Sequence, residues 1–254
     1  QPVSRSGSNF TYNGDQGQRL IQIGEGRQVA DGDSGAAVFF TIPEGNGTFN
    51  LANSGANTGT GVIGASSLTD PTAWTPDQYT IRFIDADNYE VLDSSAAVVS
   101  TGTFEPGGTI AFNGAEFSLN GAPQGGDEFY LAPSQKQDMF ATVNQIIAAV
   151  ELGVSNDQMR ATQSNGINMG LLNLDQAIGN ILDVRTQVGS RLSSIESQID
   201  NNGAFALSYQ ETLASIEDLD YAEAISRLSL ESTTLEAAQQ SFIRTQSLSL
   251  FNYF

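Results

Sequence analysis

The most regular feature of the chain is a stripe of apolar positions in its carboxyl-terminal half. The positions step alternately by four and three residues, and all but one are apolar: Ile167, Leu171, Leu174, Ile178, Ile181, Arg185, Val188, Leu192, Ile195 and Ile199. Such spacing, about 3.5 residues on average, is typical of a coiled-coil seam. The stripe therefore predicts a long helix that lies along one or more neighbouring helices, with an ordinary long-helix bundle as the alternative.

A shorter helix is predicted before this stripe. Ser134 and Gln137 have the spacing of a capping box, in which two side chains satisfy free backbone amides at a helix start. The expected apolar face of this helix is Phe140, Val143, Ile147 and Val150. Residues 153–156, which include a glycine, a serine and an asparagine, predict a break before the long helix.

A last helix is predicted to begin near Asp220, after an interruption at Asn201-Asn202-Gly203. Its heptad repeat consists of Tyr221, Leu228, Leu235 and Phe242, and more large apolar residues follow at 248–254. An amphipathic helix of this kind is marginal alone in water. We therefore expect it, where ordered, to pack against another chain or to fold back onto the helix at 160–200.

The amino-terminal half follows a different pattern, because all 7 prolines and most of the 26 glycines precede Ser134. Turn residues separate short apolar runs that predict antiparallel strands, at 18–23, 36–40, 79–84, 109–112 and 116–119. Residues 45–77 contain few large apolar groups, so we expect a long loop or loosely ordered insert there.

Together these patterns predict an α+β protein with three regions. An antiparallel, β-rich domain at 1–133 is followed by long coiled-coil-type helices at 134–214 and by a carboxyl-terminal helix at 215–254.

The charge composition argues against nucleic acid and membrane surfaces as partners. The chain has 10 basic and 29 acidic residues, and its net charge of −19 repels phosphate groups. It contains no histidine and no cysteine, so the commonest general base and all thiolate ligands are missing. Association with other proteins must rest on apolar contacts, and we expect no catalytic, cofactor-binding or metal site.

One short motif nevertheless has the letters of an enzyme. Gly125-Gly126-Asp127-Glu128-Phe129 matches the active-site hairpin of diguanylate cyclases, and Asp85-Ala86-Asp87 precedes it at about the distance of their metal-binding aspartate. A GTP site needs cationic groups, yet residues 83–135 contain no lysine or arginine. We interpret the two glycines as a turn into a strand that buries Phe129 and Leu131, with Tyr130 facing the other way.

Three further motifs are also interpreted as turns. Gly32-Asp33-Ser34-Gly35 matches the nucleophile loop of chymotrypsin-like proteases, but the chain has no histidine to act as its base. The glycines of 59–64 fit a dinucleotide pattern without the strand and helix that it requires. Residues 85–88 resemble the start of a calcium loop, but Glu90 stands where that loop needs glycine and Ala96 where it needs glutamate.

The terminal stretch EDLDYAEAISRLSLESTTLEAAQQSFIRTQSLSLFNYF, residues 217–254, resembles the carboxyl-terminal segment of the bacterial flagellin and hook-associated protein family. GLLNLDQAIGNILDVRTQVGSRLSSIESQ, residues 170–198, is similar to the long rod helix of that family. Two segments of the β-rich half, 13–39 and 110–133, are similar to outer-domain segments of hook-associated proteins. Within the family the chain is most similar to the proteins on the filament side of the hook–filament junction.

The resemblance implies a structural protein of the flagellum, with an outer domain at 1–133, a rod domain at 134–214 and an inner-tube helix at 215–254. It implies export by the flagellar type III apparatus and amino-terminal helices that pair with the carboxyl-terminal ones. Implied partners are hook-associated protein 1, flagellin, further copies of the same chain in a ring, and an export chaperone. The residues that it places between subunits are Ile225, Leu228, Leu235, Phe242, Leu248, Leu250 and Phe251.

Two other interpretations remain open at this point. The chain could be a flagellin or hook-associated protein 1, since the segment around Gly125 has relatives in the latter. It could also be an acidic extracellular module whose β-rich half binds carbohydrate or a host protein.

Overall fold

The computed structural model describes residues 2–7, 9–217 and 220–247. Its strands are β1 (Val3–Ser6), β2 (Asn9–Tyr12), β3 (Leu20–Gly24), β4 (Arg27–Ala30), β5 (Ile42–Pro43), β6 (Phe49–Asn53), β7 (Val62–Leu68), β8 (Tyr79–Phe83), β9 (Asn88–Leu92), β10 (Val98–Thr103), β11 (Thr109–Phe112), β12 (Ala115–Asn120), β13 (Glu128–Pro133) and β14 (Lys136–Gln137). Its helices are α1 (Gly35–Phe39), α2 (Met139–Glu151), α3 (Asp157–Glu217) and α4 (Tyr221–Ser247). The predicted α+β class, antiparallel sheets followed by long helices, is confirmed.

Two antiparallel sheets enclose the main core. One has the strand order β10-β9-β8-β13-β6 and the other β11-β12-β7, while the remaining strands form two-stranded ribbons. Alternate residues of β8 and β12 are buried, as expected for strands with one face in a core. Phe83 lies at the centre and makes edge-on contacts with Phe104 and Phe129, at ring separations of 5.3 and 6.0 Å.

Residues 45–77 belong to this core, so the expectation of a loop or loose insert is wrong. They contain β6, where Phe49 and Leu51 are buried, and β7, where Ile63 is buried. Few large side chains are needed in this stretch because side chains from other strands pack onto its small residues. A Cβ on Gly61, for example, would lie 2.6 Å from Cζ of Phe129.

The strand expected at 36–40 is instead the short helix α1. Ser34 caps it, because its hydroxyl accepts a hydrogen bond from the amide of Ala37 at 3.2 Å. The protease-like motif is therefore a helix start. Phe39 and Phe40 at the end of this segment contact Phe140 of α2.

The predicted turn and strand at the cyclase-like motif are confirmed. Gly126 has a φ of +94°, and β13 follows with Phe129 and Leu131 buried and Tyr130 39% exposed. The strand pairs with β8 on one side and β6 on the other. These letters therefore form a turn and the start of an interior strand of the larger sheet.

The predicted start of α2 is wrong, and only Phe140 of its predicted apolar face is partly buried. Asp138 caps the helix by accepting from the amide of Ala141 at 2.7 Å, whereas Gln137 pairs with β5 in β14. Thr142 is buried, and Val143, Ile147 and Val150 of the expected face are exposed. The buried side of α2 is the side that packs against α3, and it consists of other residues than the expected apolar face.

The break at 153–156 is confirmed, and so is the start of the last helix, where Asp220 accepts from the amides of Ala222 and Glu223. The interruption at Asn201-Asn202-Gly203 is wrong, since α3 continues to Glu217. Asparagine and glycine cost only about 0.7–1 kcal/mol each inside a helix. The helix-forming residues on both sides outweigh that cost.

The chain forms two compact units, Gln1–Ile195 and Glu196–Phe254. The first contains the sheets, α1, α2 and the first part of α3, and the second contains the end of α3 and α4.

Candidate functional site

The first part of α3 has a buried side made of small and polar residues rather than large apolar ones. The buried residues of α3 are Ala161, Asn165, Gly170, Asn173 and Ala177. The asparagines bond the backbone of the β-rich half, as when Asn165 accepts from the amide of Ile63. Sequence reasoning missed this side, because it followed the large apolar residues.

Helix α2 packs against α3 where α3 has glycines. A Cβ on Gly166 would lie 2.8 Å from Cβ of Ala149, and one on Gly170 would collide with Cγ1 of Ile146. The two backbones therefore approach closely. The residues of α2 that meet α3 are thus Ile146 and Ala149, which are not on the face expected from the sequence.

The predicted apolar stripe occupies a different side of α3 within the first unit. Its exposed members there are Leu171, Ile178, Ile181, Val188 and Leu192. Neither the sheets nor α2 covers these side chains, so the predicted long helix is confirmed and these positions of the stripe are exposed in the single chain. A neighbour along this seam stays a prediction.

The part of α3 in the second unit also carries exposed apolar side chains: Ile199, Phe205, Leu207, Tyr209, Leu213 and Ile216. Continuing the alternation of four and three beyond Ile199 reaches position 202 and then Ala206, Tyr209, Leu213 and Ile216. The heptad pattern thus extends past the point where the sequence predicted a break. Asn202 interrupts its apolar character without interrupting the helix.

The predicted heptad repeat of α4 is exposed throughout the described helix. Leu228, Leu235 and Phe242 are 68%, 60% and 68% exposed, and Tyr221 and Ile225 are similarly open. The single chain therefore does not bury this repeat, and of the two arrangements expected from the sequence only packing against another chain is left. Packing against another chain stays a prediction.

Two local interactions contribute to the helical state of α4 in the single chain. Asp220 caps its first turn, and Arg227 donates to Glu223 at 2.7 Å one turn further on. Three of the residues expected between subunits, Leu248, Leu250 and Phe251, lie outside the described residues.

Asp127 of the cyclase-like motif has a structural environment. It is 1% exposed, and its carboxylate accepts hydrogen bonds from the backbone amides of Thr58, Gly59 and Gln124 at 2.7, 3.0 and 2.9 Å. Two of these three bonds hold the loop before β7, and the third holds the turn before β13. The aspartate connects two chain segments and is closed to a substrate.

Asp85, the other half of the cyclase-like pair, shapes the turn between β8 and β9. The side-chain amide of Asn88 donates to it, as do the amides of Asp87 and Asn88, and together they lower the pKa of the Asp85 carboxyl below 3.8. Asp85 is exposed. The predicted acidic turn is confirmed.

Among the described residues, no helix combines the length and apolar character needed to cross a membrane.

The carboxyl-terminal helices match a known family model. Residues 171–254 match the model described as the bacterial flagellin C-terminal helical region. Flagellar hook-associated protein 3 of Escherichia coli is 26% identical over 119 residues, which is 46% of this chain and 38% of that protein. Its counterpart in Salmonella typhimurium is 26% identical over 149 residues, 57% of this chain and 44% of that protein.

The solved structures extend the likeness to the β-rich half. FlgL of Xanthomonas campestris is 31% identical with a TM-score of 0.77, over 84% of this chain and 70% of that one. Hook-associated protein 3 of Legionella pneumophila is 30% identical with a TM-score of 0.81, over 87% and 71%. The chain belongs to the flagellar hook-associated protein 3 (FlgL) family.

Membership of this family confirms the resemblance seen in the sequence and favours it over the flagellin and binding-module interpretations. The chain spans less than half the length of the curated relatives that it matches. The matched segment, 171–254, contains most of the exposed apolar stripe of α3 and all of α4.

Proposed function

We propose that the chain is a structural adapter at the hook–filament junction of the bacterial flagellum and assembles by helix packing with neighbouring subunits. A structure from Legionella pneumophila that is 30% identical to the chain is described as a flagellar junction protein. This relationship, together with the open helical surface, supports an assembly role without enzymatic activity.

The exposed heptad repeat of α4 is the observation that carries the proposal. Burying a large apolar side chain is worth about 1.5–3 kcal/mol relative to leaving it in water. Tyr221, Ile225, Leu228, Leu235 and Phe242 all forgo that gain in the single chain. A neighbouring helix that covers them would recover several kcal/mol, and the net charge of −19 makes apolar contact the available means of association.

The partners follow from the family. Hook-associated protein 1 would lie on one side of the ring of subunits and flagellin on the other, and a chaperone would hold the terminal helix before type III export to the cell exterior. In this arrangement 1–133 is the outer domain, 134–214 the rod domain and 215–254 the inner-tube helix. Leu248, Leu250 and Phe251 would extend the contact made by Leu235 and Phe242.

The test compares two sites on α4 that are equally exposed in the single chain. The double variant Leu235→Ser, Phe242→Ser removes two apolar side chains of the heptad repeat. The control Leu230→Ser removes an apolar side chain outside the repeat that is 69% exposed. Each change is made in the gene that encodes the chain. Filament attachment is scored by electron microscopy and swimming in soft agar.

We expect the double variant to lose most attached filaments and the Leu230 variant to keep them. Circular dichroism of the purified chains should be the same for both, because none of the three side chains is buried in the monomer. Normal filaments with the double variant would reject the proposal, and so would equal losses with the control.

A further inference from the structure

Carboxamide side chains of α3 form a series of hydrogen bonds to the backbone of the β-rich half. Asn165, Asn173 and Asn180 are spaced by eight and seven residues, so they share one side of the helix. At a rise of about 1.5 Å per residue they span about 22 Å. Asn165 and Asn173 are buried. All three asparagines form hydrogen bonds to backbone atoms that are more than 100 residues away in the sequence.

Asn165 and Asn168 take the place of a missing strand. Strand β7 is at the edge of its sheet, where backbone groups have no strand partner. The amide of Ile63 donates to Oδ1 of Asn165 at 2.7 Å, and Nδ2 of Asn165 donates to the carbonyl of Gly61 at 2.9 Å. Nδ2 of Asn168 donates to the carbonyl of Ile63 at 2.9 Å. The helix thus closes the edge with side-chain amides.

The other two asparagines hold segments that come before β7 in the chain. Oδ1 of Asn173 accepts from the amide of Gly45 at 2.7 Å, in the turn that leads to β6. Nδ2 of Asn180 donates to the carbonyl of Val38 at 2.8 Å, in the last turn of α1. Three separate pieces of the β-rich half are therefore bonded to one side of one helix.

Directional bonds define a position in a way that apolar contact does not. Burial of apolar surface depends on area and is non-directional. A hydrogen bond weakens steeply with misalignment, and a buried amide that loses its partner is costly. If α3 slid by one turn, about 5.4 Å, the amides of Ile63 and Gly45 would lose their acceptors together.

We propose that Asn165, Asn173 and Asn180 are positioning residues that set the axial and rotational register of α3 against the β-rich half. At about 100° per residue these asparagines lie about 120–180° around the helix from the exposed Leu171 and Ile178. The register therefore points the apolar stripe away from the sheets. Its consequence for the junction, a single orientation of outer domain against rod, rests on the proposed function.

The test measures register directly by pulsed electron spin resonance. The chain has no cysteine, so spin labels attach only at introduced sites. Asp87→Cys and Asp183→Cys place one label on the turn before β9 and one on α3, both at exposed positions of the first unit. The label-to-label distance is compared between the otherwise unchanged chain and the variant Asn165→Leu, Asn173→Leu, Asn180→Leu. Leucine has the same branched side-chain skeleton as asparagine, with bulkier methyl groups in place of the carboxamide oxygen and nitrogen, so it cannot make the bonds.

We expect one narrow distance in the unchanged chain. The triple variant should show a broadened distribution or a second distance displaced by up to about 5 Å, while circular dichroism shows intact helices. Asn201→Leu, an exposed asparagine of the same helix, is the matched control and should keep the narrow distance. A triple variant with the unchanged narrow distance would overturn the proposal, because the asparagines would then only add stability.

The single variant Asn180→Leu covers the case in which the triple variant does not fold, since Asn180 is only partly buried. It should broaden the same distance, and restoring a carboxamide with Asn180→Gln should narrow it again. An unchanged distance in Asn180→Leu would count against the proposal. All these distances are measured in the isolated chain, so failure of the junction role would leave their outcome unaffected.

Discussion

Replacing Asp127 by asparagine tests whether the acidic residue of the cyclase-like motif is structural. Oδ1 of Asp127 accepts from the amide of Thr58, and Oδ2 accepts from the amides of Gly59 and Gln124. Asparagine has one acceptor oxygen and one NH₂ group. In one orientation the NH₂ group faces two backbone donors, and in the other it faces one.

The expected loss of stability follows from these contacts. A hydrogen bond to a charged acceptor contributes about 1.5–3 kcal/mol, and the site is almost fully buried. One or two lost bonds give an expected decrease of about 2–4 kcal/mol in the free energy of unfolding. With a urea m-value of about 2 kcal/mol/M, the unfolding midpoint should fall by about 1–2 M.

The single tryptophan makes the measurement specific to the β-rich half. Trp74 packs against Phe49 and Tyr79 in the core, so its fluorescence reports unfolding of the sheets. Asp87→Asn, at an exposed position of the turn before β9, is the matched control and should change the free energy of unfolding by less than about 0.5 kcal/mol. A midpoint for Asp127→Asn that equals the control would refute the structural role.

Two further predictions concern the helix contact and pH. Gly170→Ala should destabilise the first unit, because the added Cβ would collide with Ile146. Gly189→Ala has open space around it and should stabilise α3 by up to about 1 kcal/mol. Thermal unfolding followed by circular dichroism measures both effects, and a stabilised Gly170 variant would contradict the packing of α2 on α3. The pKa values of Asp70, Asp77, Asp85 and Asp93 are lowered from 3.8, chiefly by hydrogen bonds from Thr72, Ser94, Asn88 and Ser95 respectively. A carboxyl with a lowered folded-state pKa stabilises the fold above its unfolded pKa and loses that contribution as the pH falls through the folded value. The urea midpoint should therefore decrease below about pH 4, and carboxyl NMR titrations that place these four groups at or above 3.8 would contradict the turn geometry.

The sequence predicted elements best where one local period dominates. The alternation of four and three residues identified α3, and period-two runs identified β3, β8, β11 and β12. The prediction from the sequence failed at 45–77 because β6 and β7 are rich in small and polar residues. Their burial depends on strands such as β13 that lie far away in the chain.

The sequence by itself determined the long helices, the antiparallel strands, the lack of histidine and cysteine chemistry, and the apolar stripe, because these depend on composition and on neighbours within a few residues. Only the tertiary structure decided which side of α3 meets the sheets. That side is marked by Asn165, Asn173 and Asn180, whose partners are distant in sequence, so the period of the large apolar residues does not reveal it. It also decided that Leu228, Leu235 and Phe242 stay exposed in the single chain, since burial depends on which surfaces are within reach.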